Sequence, residues 1–137
     1  MKKRKPEDVL VKRVSSFMLS EHPSTPFRFD FAADMKTSIG VATKNKAIHG
    51  KWNAGYPDMF ICQATKHYGG LYVELKATKT VINSEHTRRQ RAYHQVLRNQ
   101  GYMVEFACGF EEAERVISGY LALKRRKIKK KCDILHK

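Results

Sequence analysis

Residues 55–78 read Gly55-Tyr56-Pro57-Asp58-Met59-Phe60-Ile61-Cys62-Gln63-Ala64, then Thr65-Lys66-His67-Tyr68-Gly69-Gly70, then Leu71-Tyr72-Val73-Glu74-Leu75-Lys76-Ala77-Thr78. Two apolar runs flank a polar segment that ends in paired glycines. This pattern predicts strands over 58–64 and 71–78 joined as a β-hairpin. Downstream, Ser84 suits the N-cap of a helix over 84–99, and Gly101 ends it. Gln90, Tyr93, Val96 and Leu97 share one face of that helix, while Arg88, Arg89, Arg91 and Arg98 crowd the others. Residues 102–108 form a further strand. It follows a helical crossover, so it is expected to lie parallel to 71–78. A last helix starts near Glu111, with Ala113, Val116, Ile117, Tyr120 and Leu121 as its apolar stripe.

Upstream of the hairpin, residues 6–21 predict a helix. Pro6 fits its first turn, Glu7 and Asp8 complement its positive end, and Leu10, Val14, Phe17 and Met18 form its inward stripe. His22-Pro23-Ser24-Thr25-Pro26 breaks it. Residues 27–34 open with Phe27, Phe29 and Phe31 alternating with Arg28 and Asp30, a strand with one buried face. Residues 35–54 have little periodicity and carry Lys36, Lys44, Lys46, His49, Lys51 and Trp52; they read as a mobile basic loop with room for a short helix. The expected class is α/β, a central mixed β-sheet flanked by helices in the order α-β-β-β-α-β-α. One domain is expected over 1–123, followed by a basic C-terminal tail over 124–137 that opens Lys124-Arg125-Arg126.

Composition narrows the partners. Lys and Arg number 27 against 13 Asp and Glu, a net charge of +14 with a pI near 9.9. Phosphate polyanions are the commonest partners of such a chain, because basic contacts release condensed counterions. Ribosomal or anionic-membrane association would answer the charge but not the acidic residues of the hairpin. No apolar run approaches the roughly 20 residues of a membrane helix, and no signal peptide is visible; a cytoplasmic or nucleic-acid-bound protein is expected. Cys62, Cys108 and Cys132 are too few and too scattered for a disulfide framework or zinc ribbon. Cys62 and Cys108 sit in apolar runs and read as small core residues. The histidines show no zinc-enzyme spacing.

The hairpin carries the chemistry. An antiparallel return brings the end of its second strand beside the start of its first, so Asp58 falls near Glu74 and Lys76. Glu74 and Lys76, two apart, point to the same face. Glu-x-Lys alone is most often an exposed ion pair. Gly55 and Pro57, however, form a turn that aims Asp58, and Pro57 keeps Tyr56 extended. Two close carboxylates repel, and the pKa of one rises. A divalent cation such as Mg²⁺ relieves that repulsion while accepting a substrate phosphate. Lys76 would then position water or stabilise developing phosphate charge. The Leu75 backbone carbonyl, between the two side chains, is a further candidate metal ligand. Glu7, in line with Leu10 and Val14, and Gln90, in line with Tyr93 and Leu97, put polar groups at inward positions that need partners.

Gly55-Tyr56-Pro57-Asp58, Glu74-Leu75-Lys76, Ser84 and Gln90 ahead of Gly101 together resemble the VRR-NUC domain of the PD-(D/E)xK nuclease superfamily. The resemblance spans residues 55–121, with the first helix as the start of the fold. It implies a restriction-endonuclease-like core. It also implies Mg²⁺ or Mn²⁺ bound by Asp58 and Glu74, Lys76 as catalytic lysine, Gln90 as the helix glutamine and Glu7 as a further candidate metal ligand. Stand-alone members resemble Holliday-junction resolvases, so the resemblance further implies a homodimer acting on branched DNA in a bacterium or phage-infected host. No small-molecule cofactor is expected. Lys44, Lys46, Lys51, Arg88, Arg89, Lys124, Arg125 and Arg126 are candidate DNA contacts on charge. The competing readings are a non-catalytic nucleic-acid-binding module on the same fold and an RNA-associated basic protein. The latter would tolerate Asp58→Ala.

Overall fold

Pro6 in the first turn and the acidic pair Glu7 and Asp8 start α1 (Pro6–Glu21), as the sequence predicts. The structure, a computed structural model, describes residues 5–30, 39–79 and 84–127. Leu10, Val14 and Met18 are buried along α1, and Phe17 packs partly against them. Glu7 does not begin this stripe. Residues 6–9 are exposed, so the first turn of α1 stops short of the core.

Four strands follow: β1 (Phe27–Phe29), β2 (Met59–Ile61), β3 (Leu71–Lys76) and β4 (Met103–Cys108). They form one mixed sheet in the order β1-β2-β3-β4. β1 and β3 pair antiparallel with β2, and β4 lies parallel to β3. The hairpin and the parallel return are therefore as expected, with shorter strands. The predicted first strand ran to 34; residues 31–34, including Phe31, lie outside the described residues.

A difference lies between β1 and β2. Residues read as a basic loop with room for a short helix form an eleven-residue helix, α2 (Ile39–His49), and a 3-10 turn at Gly50–Trp52. α2 buries none of its residues, so no apolar stripe wrote its period into the sequence.

Alternation along the strands builds two unlike faces. Met59, Ile61, Leu71, Val73 and Leu75 pack with Leu10, Val14 and Met18 of α1 and with Ala113, Ile117 and Tyr120 of α4 (Phe110–Leu121). The opposite face, carrying Phe60, Tyr72 and Glu74, meets α3 (Glu85–Asn99). Ser84 Oγ accepts from the Thr87 N–H at 3.1 Å and caps α3 as predicted. Within α3 the deeply buried residues are Gln90 and His94, whereas Val96 is exposed, so the inward stripe runs one turn from Gln90 to His94.

Two further expectations change. Cys62 is exposed and Cys108 half-buried rather than core; with Ile61 pointing inward, alternation turns Cys62 outward. The basic run does not leave the domain at Lys124. The Lys66 N–H donates to the Lys124 carbonyl at 2.7 Å, and Arg125 forms a β-bridge with Thr65. Residues 128–137 of the predicted tail lie outside the described residues.

Candidate active site

The turn before β2 is built by contact with α3. Gly55 has φ +87°, and a Cβ there would stand 3.1 Å from the Arg89 carbonyl oxygen. Glycine answers both the backbone sign and the close approach. Pro57 behind it is buried. Asp58 emerges half-buried, and its Oδ2 accepts from the Leu75 N–H at 2.7 Å. The tip of β2 is thus pinned to the end of β3. In an extended strand the N–H and C=O of one residue face the same edge, so the Leu75 carbonyl faces the edge where Asp58 sits.

Glu74 is 3% exposed. Its Oε1 accepts from Gln90 Nε2 at 2.6 Å and lies 3.2 Å from Lys76 Nζ. Its Oε2 is buried without a hydrogen-bond donor among the described residues, as is the Gln90 Oε1. Burial first, and then the Asp58 carboxylate, push the Glu74 pKa up to about 8; Lys76 opposes them. Asp58, Glu74, Leu75, Lys76 and Gln90 line one cleft of about 220 Å³, whose wall also includes Glu7. The five residues singled out in sequence for the site, with Glu7, do converge. Glu7 is exposed, and among the described residues no group of three or more His, Cys, Asp or Glu forms a ligand cluster.

A solved structure described as a VRR_NUC domain protein matches this fold with a TM-score of 0.65 and 26% identity, covering 91% of this chain and 94% of that one. The chain is thus similar in fold to a VRR-NUC domain protein over nearly the whole length of both. No family model and no curated protein matches it. The likeness therefore rests on three-dimensional arrangement, and it supports a nuclease reading in general.

The donor chemistry of this site suits a hard divalent cation. It offers two carboxylates, one with a buried oxygen that no donor serves, and a backbone carbonyl at the same edge. His94 was not singled out in sequence, although it lies four residues beyond Gln90 on the same face. It is fully buried against Phe106, with ring centroids 4.8 Å apart. Burial, with Arg98 and Lys76 nearby, lowers its pKa to about 4, so it is a neutral ring beneath the site.

The basic candidates spread widely. Lys44 and Lys46 are exposed on α2, and Lys51 Nζ lies 4.9 Å from the centroid of the Trp52 ring. Arg88 and Arg89 are exposed on α3, and Arg89 pairs with Glu85 at 2.6 Å. Lys124, Arg125 and Arg126 are exposed at the turn end of the β2–β3 hairpin, where Arg125 Nη2 donates to Gln63 Oε1 at 2.8 Å. At ~3.3 Å per residue along β3, that end stands roughly 20 Å from Lys76. These three residues are not brought to the cleft.

Proposed function

We propose that this VRR-NUC-like domain is a divalent-metal-dependent endonuclease that hydrolyses DNA phosphodiester bonds and prefers branched DNA. One observation carries the reading. Glu74 is raised in pKa by burial and then by Asp58, and it presents an oxygen with no donor among the described residues beside an ammonium and an amide that both hold its other oxygen. A purely structural carboxylate would have its oxygens satisfied.

In this reading Asp58, Glu74 and the Leu75 carbonyl hold Mg²⁺ or Mn²⁺, with Glu7 as an outer contributor. The bound ion would polarise the scissile phosphate and lower the pKa of an attacking water. Gln90 fixes the rotamer of Glu74 through its 2.6 Å hydrogen bond, so the carboxylate is preorganised. Asp58 is held by the Leu75 N–H and needs no reorientation to face the same edge. Lys76, half-buried at the cleft, keeps a proton to donate toward a phosphate oxygen or to orient water against it.

The net charge of +14 supports DNA as the partner. Symmetric cutting of a junction calls for two copies. α2, which buries none of its residues against the described chain and exposes Ile39 and Ile48, supports a homodimer whose second copy covers it. The proposed setting is the cytoplasm of a bacterium or phage-infected host. No helix among the described residues is long and apolar enough to cross a membrane.

The test is cleavage of labelled four-way junction, flap, duplex and single-stranded DNA in Mg²⁺, in Mn²⁺ and in EDTA, with Glu74→Ala beside the parent. Metal-dependent cutting lost in the variant is the expected result. Tight binding with no cutting in either metal would instead identify a binding module.

A further inference from the structure

A second cavity adjoins the cleft, and its chemistry differs. It encloses about 460 Å³ and is walled by Trp52, Tyr56, Phe60 and Tyr93, with Arg28 and Asp30 also in its lining. Tyr56 lines both the cavity and the cleft, and two residues later the chain places Asp58. An occupant of this cavity is therefore a direct neighbour of whatever occupies the cleft.

The walls are an array of rings held by their edges. Trp52 meets Tyr93 at 5.2 Å and 70°, Tyr93 meets Tyr56 at 5.7 Å and 87°, and Tyr56 meets Tyr72 at 5.5 Å and 88°. Edge-to-face pairing fixes each ring while leaving flat π-surface for another planar group. Trp52 remains 43% exposed, with an edge contact to Tyr93 and the Lys51 ammonium over its ring.

The polar atoms select the occupant. Asp30 in the wall disfavours a phosphate but accepts from the amino group of a base, and the cavity size is that of a small planar ligand. Lys51 and Arg28 supply cations suited to the flanking phosphates. On the other side of Lys76 the surface reverses in character. A cavity of about 540 Å³ is lined there by the cations Lys76, Lys79 and Arg91, with Thr87, Phe106 and one carboxylate, Glu112, so positive charge predominates in its wall.

We infer that the aromatic cavity takes an unpaired nucleobase next to the scissile phosphate, so that the substrate is DNA with at least one unpaired nucleotide beside the cut. This rests on the nuclease reading and narrows its substrate class. Bases stack on aromatic side chains whatever their sequence. The selection is accordingly for an unpaired strand and not for a particular base.

The experiment reads binding and leaves cleavage aside. Glu74→Gln protein in Mg²⁺ is titrated onto two DNAs: a fully paired duplex, and the same duplex with a branch carrying 2-aminopurine at its first unpaired position. The expected result is quenching of the 2-aminopurine on binding. In the Glu74→Gln background, Trp52→Ala and Tyr93→Ala should lose the quenching and weaken binding of the branched DNA roughly tenfold or more, with duplex affinity unchanged. Trp52→Phe should restore much of both. Trp52 is exposed, so its variants are expected to fold, and circular dichroism checks this. Unquenched 2-aminopurine, or equal loss on both DNAs, would overturn the inference. Quenching in a protein that never cuts would keep the cavity assignment while removing the nuclease reading.

Discussion

β3 presents two faces that do opposite things. Leu71, Val73 and Leu75 point into the dry layer under α1 and α4, where each fills space against Ile117, Val14 or their neighbours. Tyr72, Glu74 and Lys76 point toward α3, and there Glu74 is as buried as the leucines yet keeps an oxygen without a donor. One face lowers the free energy of folding by removing apolar surface from water. The other buries a carboxyl whose ionisation costs stability, a cost that a bound cation would offset.

Substitutions on the two faces should separate cleanly. Asp58→Ala, Glu74→Ala and Lys76→Ala should each lower cleavage by roughly a hundredfold to a thousandfold, with DNA affinity largely retained by gel shift. Ile117→Ala on the dry face should cost about 2–5 kcal/mol of stability in urea melts, while cleavage per folded molecule is unchanged. A loss of activity per folded molecule in Ile117→Ala would break the separation.

Two buried groups on the α3 side predict opposite pH signs. Glu74 titrates near 8 when folded, against an ordinary value of 4.5. Between those pH values the folded state keeps a proton that the unfolded chain has released, so metal-free stability falls as pH rises through the window. His94 titrates near 4 when folded, against 6.5. Its contribution is present above pH 6.5 and is lost as pH falls toward 4. Melting in EDTA should therefore show Glu74→Gln more stable than the parent at pH 8, with no such gain at pH 4. Adding Mg²⁺ at pH 8 should raise the parent's melting temperature and leave that of Glu74→Gln nearly unmoved.

Gly55→Ala joins the two regions, because Gly55 touches the α3 backbone beside Gln90. The positive φ and the close approach together should cost about 1–3 kcal/mol. The Glu74–Gln90 pair should loosen, seen as a fall in cleavage larger than the fall in folded fraction. The smallest effect belongs to the far end of the hairpin. Lys124→Ala with Arg126→Ala should reduce the slope of log affinity against log salt by up to about two, with the cleavage rate at saturating DNA unchanged.

The reading from sequence was good wherever one local rule decided. α1 came out to the residue, because Pro6, the acidic first turn and the Leu10–Val14–Met18 spacing agree. The hairpin, the Ser84 cap and the parallel return were likewise legible, and with them the convergence of Asp58, Glu74, Lys76 and Gln90. α2 was not, since a helix that buries nothing leaves no periodic trace. Cys62 was misread because an apolar run does not say which of its members points inward.

Residue type and spacing alone thus determined that two carboxylates and a lysine meet at the mouth of a hairpin on a basic α/β domain. Only the tertiary structure decided what that meeting is worth. Burial by α3 raises Glu74 and leaves one of its oxygens without a donor, and α3 approaches that closely because Gly55 lacks a Cβ. It was also the tertiary structure that brought Tyr93 of α3 against Trp52, Tyr56 and Phe60, which lie along the stretch leading into β2, to form one cavity. Ring stacking and desolvation depend on neighbours distant in the chain, and no local pattern encodes them.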